Sequence, residues 1–391
     1  MNLNLFDVEQ NQDLEDIIPY NDEEAVQALR KVAQHPAVSA ISKYLFPNEP
    51  AGFLAGLLGN MHSIDEFQTV VMSTAIDWVL NSTTHCFSYD GINNLRAENG
   101  RFLMLSNHRD IILDPAITQY VLNKNGIPMT EICVGSNLLS SKTLEYLLRS
   151  NRMIKVIRGI SARETYLSSQ ILSHYIRESI TTGRSSVWLA QRQGRTKNGL
   201  DTTEQGLLKM LDMSGTKSFS ENFMELHIVP LSISYEYEPC DIRKARELLI
   251  SRSHPYVKGK REDLHSIIIG IRQQKGNVHL NIGTPLTREE IEAAEQAEVK
   301  NDRYQAIRHA VDKRVIQGYK LWMPNFIAYD MVNGTTKYSD RYQKENVERF
   351  QAYMAHKMEK VESSLDRSDL REIFLRIYSN PVTAKEDLGF I

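Results

Sequence analysis

The chain has 391 residues, of which 41% are hydrophobic and 24% charged, and a net charge of -3; these are values of a folded globular protein, long enough for one large domain or two to three ordinary ones. No run approaches the ~18–20 apolar residues that span a bilayer, since the longest, 51–59 (AGFLAGLLG) and 326–329, are too short. Cys86, Cys133 and Cys240 are far apart and form no CxxC pair, which argues against a disulfide framework or a zinc site.

The opening residues, MNLNLFDVEQ, lack the basic and apolar regions of a secretory signal, so a reducing cytoplasmic location is expected. Helices are predicted at 22–34 and at 62–80, where Ile64, Phe67, Val70, Val71 and Ala75 recur at helical spacing. From about residue 101 the pattern changes to short apolar strands alternating with amphipathic helices. The predicted strands are 102–106, 132–135, 154–157, 186–190, 226–235 and 278–282. Ser161 with Glu164 makes a capping box ahead of a long helix, and Asp201 with Glu204 reads as another helix start. The alternation predicts an α/β domain whose sheet is covered by helices. After Gly283 the chain turns helical again, with a capping box at Thr287 and Glu290 and a helix predicted to run to about Tyr319; 338–377 is charged and amphipathic. The expected division is a helical segment at 1–97, an α/β domain at 98–285 and a helical segment at 286–391.

Charge is distributed unevenly. Between 106 and 197 there are 13 Lys or Arg against 6 Asp or Glu, a local balance of +7 that leaves -10 for the rest. A basic centre inside an acidic protein points to a site for anionic groups. Nucleic acid is not an expected partner, since neither a basic face nor interleaved aromatics is present.

GxSxG, GxxxxGK[ST], GxGxxG and HExxH are all absent, which removes the main support for hydrolase, P-loop, dinucleotide and zinc-protease readings. The informative stretch is SNHRDIILDP (106–115). It places His108 where a strand should end, with Asp110 and Asp114 just beyond. Imidazole titrates near neutrality and can take a proton from a hydroxyl; a carboxylate on its other nitrogen would fix the tautomer and stabilise the imidazolium. The plainer alternative makes Asp114 an N-cap with Pro115 at the first helical position and His108 an ordinary loop residue. Two further predicted strands end in cations: MIKVIRG (153–159) with Lys155 and Arg158, and SVWLAQRQGRTKNG (186–199) with Arg192, Arg195 and Lys197. Each alone reads as a buried strand entering a solvated loop. Together they suit a phosphate, because arginine binds phosphate in bidentate fashion and ligand sites favour the carboxyl ends of strands.

In this order, with HIVPLSISYEYEP (227–239) and NVHLNIGTPL (277–286) following, the blocks resemble those of the glycerolipid acyltransferase family, which includes glycerol-3-phosphate and 1-acylglycerol-3-phosphate acyltransferases. The resemblance covers about 190 residues, roughly half the chain. It implies a mixed sheet covered by helices, and transfer of a fatty acyl group from acyl-CoA or acyl carrier protein to a hydroxyl of glycerol-3-phosphate or a lysolipid, without a metal or redox cofactor. His108 would be the general base and Asp114 its partner, with Asp110 as the alternative because five residues separate His108 from Asp114 where the family has four. Asn107, Arg109, Lys155, Arg158, Gln193, Gly194, Arg195 and Pro230 would contact substrate. Gln193 stands where the family has Glu, a change that would permit another acceptor, such as an amino-acid-derived lysolipid. The same scaffold would also serve a thioesterase that uses water, or a non-catalytic lipid- or anion-binding protein. An enzyme of this kind would meet the cytoplasmic face of a membrane peripherally. Residues 50–59, or 321–326 with Trp322 and Phe326, would make that contact, unless both pack in the core.

Overall fold

The computed structural model describes residues 17–96, 100–139, 141–158 and 161–391; the opening MNLNLFDVEQ and Gly159 of MIKVIRG lie outside these. Among the described residues, seven strands form one sheet: β1 (Thr84–Asp90), β2 (Leu103–Ser106), β3 (Glu131–Gly135), β4 (Met153–Val156), β5 (Val187–Ala190), β6 (Ile228–Tyr235) and β7 (Gly276–Ile282). Their order is β1-β7-β6-β2-β5-β3-β4. The five strands from β6 to β4 are mutually parallel, whereas β7 runs antiparallel to β6 and carries β1 parallel to itself. The sheet is therefore mixed.

The parallel strands read as nearly unbroken apolar runs (LMLS, VWLA, IVPLSISY) because helices cover both faces. Side chains alternate across the sheet. Leu103, Leu105, Val187 and Leu189 face one side, packing on Leu172 and Ile176 of α2 (Ala162–Thr181) and on Ile307 and Val311 of α5 (Lys300–Gly318). Met104, Trp188, Val229 and Leu231 face the other, against Ile117 and Val121 of α1 (Leu113–Lys124). Two helices, α3 (Asp241–Ser251) and α4 (Glu262–Arg272), lie between β6 and β7. The last helix, α6 (Arg367–Asp387), packs with α3 in a separate apolar cluster that includes Phe350, Leu370 and Phe374.

Pro230 sits in central β6, where a proline would usually break a ladder. Its carbonyl accepts from Gly283 N at 2.9 Å, so the missing N–H lies on that same side, just past the last β6–β7 pair, Leu231–Ile282. The ladder with β2 loses nothing.

Several sequence expectations change. The sheet gains β1 from the segment expected to be helical. Residues 62–80 form helix in consecutive pieces, Ile64–Glu66, a wider-wound Phe67–Met72 and Ser73–Thr83. The helix expected from Thr287 to Tyr319 is two, Arg288–Glu295 and α5. Both capping boxes, Ser161/Glu164 and Thr287/Glu290, form. Asp201 caps nothing; the helix beyond it, Gln205–Asp212, starts after Glu204, and Asp201 is buried in an ion pair with Arg109. Leu54 and Leu58 of the 50–59 segment are buried in an N-terminal helical cluster, and the indole nitrogen of Trp322 is buried. Phe53 and Leu57 of the first segment and Trp322 and Phe326 of the second are half-buried.

Candidate active site

The loop between β2 and α1 carries His108 at the carboxyl edge of the parallel strands. It is anchored on three sides. Asn107 N donates to Leu231 O at 3.1 Å, Gln191 N to Ser106 O at 2.8 Å, and Thr196 N to His108 O at 2.7 Å. The imidazole stands edge-on to Trp188, with ring centroids 6.2 Å apart, and its Nδ1 lies 3.0 Å from Asp114 Oδ2.

Asp114 is in the first turn of α1 but turns back onto the loop. Its Oδ2 accepts from Arg109 N at 2.6 Å and Asp110 N at 2.8 Å as well as facing His108, while its Oδ1 accepts from Tyr235 OH at 2.8 Å. Burial, reinforced by the charges of Asp114 and Asp110, pushes the Tyr235 hydroxyl well above its ordinary pKa, so it remains a donor. A carboxylate already accepting two backbone N–H groups carries no proton there, so His108 Nδ1 holds the hydrogen and Nε2 is the acceptor.

Asp110 has a different task. Its Oδ1 accepts from Ile112 N at 2.9 Å and Leu113 N at 2.8 Å, capping the start of α1. Burial first, and then the negative charge of Asp114, raise its pKa. Its Oδ2 is buried against α4, where a Cβ on Gly270 would come within 2.1 Å. The geometric partner of His108 is thus Asp114, and the cap is Asp110. Pro115 follows at the third helical position, where its missing N–H costs nothing.

His108 opens into a cleft enclosing about 110 Å³. Ile112, Pro115, Ile132, Val134, Met153 and Trp188 make its apolar wall, and Arg158, Gly194 and Arg195 stand with Arg192 and Lys258 on its polar one. Lys258 is held by Asp263 at 2.8 Å. Arg158 and Arg195 have no carboxylate within ion-pair distance among the described residues, and Arg195 Nη1 is buried without a hydrogen-bond partner. Burial lowers the Arg158 pKa, with Glu204 and Asp263 offsetting it only in part; its guanidinium is short of counter-charge. It folds over Gly135, where an added Cβ would stand 3.0 Å from Arg158 Cζ and 2.5 Å from Asn137 Oδ1.

Five of the residues expected to line a site are elsewhere. Arg109 is wholly buried beneath the loop. Its guanidinium holds Asp201 with two bonds of 3.1 and 2.5 Å, meets Glu238 at 3.3 Å, and lies 4.6 Å over the Tyr319 ring. Burial disfavours its charge, but Asp201, Tyr319 and Glu238 outweigh that and raise its pKa well above the usual value. Lys244 Nζ completes the network through Glu238 Oε1 at 2.6 Å and Arg109 O at 2.7 Å. Asn107 is a buried clamp that exchanges bonds of 2.8 and 3.0 Å with the Ile233 backbone. Pro230 is buried in β6. Lys155 lies outside the cleft wall, near Glu145. Gln193 is exposed and is not among the residues of that wall, although Arg192 and Gly194 on either side of it are.

Sequence reasoning missed Tyr235, Gly135, Asn137, Lys258 and Asp263. Tyr235 and Gly135 end strands, and strand ends were the signal used for the arginines. Lys258 and Asp263 reach the cleft from the β6–β7 crossover and carry no local signature. No protein-family model and no curated protein matches the chain.

Proposed function

We propose that this chain is an O-acyltransferase that moves a fatty acyl group from acyl-CoA or acyl carrier protein to a hydroxyl of glycerol-3-phosphate or 1-acylglycerol-3-phosphate, a step of phospholipid biosynthesis, on a glycerol-3-phosphate acyltransferase-like core. The observation that carries the reading is a His108–Asp114 pair, 3.0 Å apart, facing a cleft whose Arg158 and Arg195 have no carboxylate within ion-pair distance among the described residues. Nε2 of His108 takes the acceptor's hydroxyl proton as its oxygen attacks the thioester carbonyl. The intermediate collapses, the C–S bond breaks, and the leaving thiolate recovers the proton from the imidazolium. The guanidinium groups hold the acceptor's phosphate, which turns a bimolecular encounter into a positioned one. The enclosed ~110 Å³ is below the ~300–1,000 Å³ of sites that bury a whole ligand, so it suits the headgroup, with the acyl chain leaving through the mouth.

No helix among the described residues is long and apolar enough to cross a membrane, so a lipid acceptor would be met peripherally, on the cytoplasmic face. Val257, 85% exposed, and Leu264 and Ile268 of α4, 47% and 40% exposed, are apolar groups beside the cleft residues Lys258 and Asp263 and suit that contact.

The test is acyl-thioester cleavage with and without a phosphorylated acceptor. Arg158→Ala and Arg195→Ala should each raise the acceptor KM by roughly 10- to 100-fold, the worth of a charge-assisted bond, with kcat changed far less. Gly135→Ala should do the same at a distance, since its Cβ displaces Arg158. Unchanged KM in all three would sink the phosphate site; cleavage indifferent to acceptor would identify a thioesterase.

A further inference from the structure

A second cavity, of about 870 Å³, lies between α3, α4 and the helix Lys344–Met358. It is the cleft's neighbour. The start of α4 and the loop before it separate them, with Lys258 and Asp263 facing the cleft and Gly259 to Glu262 facing the cavity. Its volume falls within the ~300–1,000 Å³ of small-molecule sites.

Six cations line it, Arg243, Arg246, Lys260, Arg261, Lys357 and Lys360, against three carboxylates. All three carboxylates are occupied. Glu362 is held by Arg246 through bonds of 3.0 and 2.8 Å, Asp241 by Lys357 at 3.3 Å and two tyrosine hydroxyls, and Glu262 by Tyr256 OH at 2.8 Å. Arg243, Lys260, Arg261 and Lys360 have no ion-pair partner among the described residues, and Arg243 Nε is buried without a hydrogen-bond partner. A buried donor without a partner is a group that a ligand oxygen would satisfy. Tyr256, Ile242, Ile269 and Val361 supply an aromatic and aliphatic side to the same cavity. With Glu262 keeping its charge, the lining carries a net surplus of three positive charges beside an apolar wall, which matches a small molecule with several phosphates and a ring system.

We infer that this cavity binds the phosphorylated nucleotide end of a coenzyme A thioester and so delivers the acyl donor to the neighbouring cleft. The assignment rests on the acyltransferase reading for its purpose, but the binding it requires can be measured without turnover.

Coenzyme A, 3′-dephospho-coenzyme A and pyrophosphate should be titrated calorimetrically into the full-length protein and into Lys260→Glu/Lys360→Glu, whose side chains are exposed enough to leave the fold intact. Coenzyme A should bind the wild type, bind the double variant at least 10-fold more weakly, and exceed both probes in affinity. The KM for acyl-CoA should rise in parallel, with the acceptor KM unmoved. No coenzyme A binding, or binding and KM unchanged in the variant, overturns the assignment; transfer from acyl carrier protein alone does so while leaving the acyltransferase reading intact. Pyrophosphate as tight as coenzyme A would replace the nucleotide with a simple polyphosphate. Coenzyme A binding lost in the variant, from a protein that transfers no acyl group, would keep the site and remove the proposed function.

Discussion

His108→Ala should lower turnover by roughly 100-fold or more, the usual worth of a positioned general base, while the protein keeps its fold. The imidazole is at the edge of the cleft with its side chain 14% exposed, and the loop is held through the His108 backbone and through Asn107, not through the ring. Loss of the ring removes one bond from Asp114 but leaves the two from Arg109 N and Asp110 N. A folded His108→Ala protein with wild-type kcat would end the mechanism. Asp114→Asn should cost less, about 10- to 100-fold, the loss of one charge-assisted bond. Its amide oxygen must face the two backbone N–H groups, which can only donate, so it still accepts from His108 Nδ1 and the tautomer survives; the loss is of the charge that stabilises the imidazolium. Asp110→Asn retains an oxygen for Ile112 N and Leu113 N and should leave kcat within a few-fold. If Asp110→Asn were the crippled variant, the partner of His108 would be misassigned.

Much of this site could be read from the chain because its residues lie within a few positions of strand ends. LMLS, VWLA and MIKV announce themselves as strands by being apolar, and the residues after each must emerge at the sheet's carboxyl edge. His108, Arg158 and Arg195 were legible for that reason. Asn107, Arg109 and Pro230 belong to the same blocks but serve the fold, because a block's residues alternate between cleft and interior and its spelling does not say which is which. Arg109 follows His108 directly, yet its side chain goes down where the imidazole goes up. Its partners Asp201, Glu238, Lys244 and Tyr319 lie some 90 to 210 positions away in sequence, about the separation at which pattern reading fails. β1 (THCFSYD) is a half-exposed edge strand whose longest apolar run is Cys86–Phe87, and its Tyr89 lies between Ser88 and Asp90, so nothing in its pattern reveals it.

Asp201→Asn should destabilise the protein by roughly 3–5 kcal/mol, the cost of leaving a buried charge without its partner, out of the ~5–15 kcal/mol that holds a typical domain together. Arg109 would then share Glu238 with Lys244, two buried cations on one carboxylate. The effect would reach the site, since Asp201 also accepts from Asn107 Nδ2 at 3.2 Å and thereby ties the His108 loop to the segment that follows the Gly194 turn. Gly199, whose carbonyl accepts from Arg109 at 3.1 Å, has φ 81° and sits so close to α6 that a Cβ would meet Ile377 O at 2.2 Å; the network therefore also pins the 186–199 segment onto the C-terminal helix. Denaturant unfolding of Asp201→Leu, Arg109→Met and the Asp201→Leu/Arg109→Met pair, alongside Asp201→Asn, gives the coupling directly. The pair should be closer to wild type than either single change, because removing both charges removes the desolvation cost that one alone cannot offset. Were Asp201→Asn within about 0.5 kcal/mol of wild type, the scatter of an ordinary surface change, and Arg109→Met to raise the acceptor KM instead, then Arg109 would bind substrate after all and the division between the buried arginine and the cleft arginines would fall.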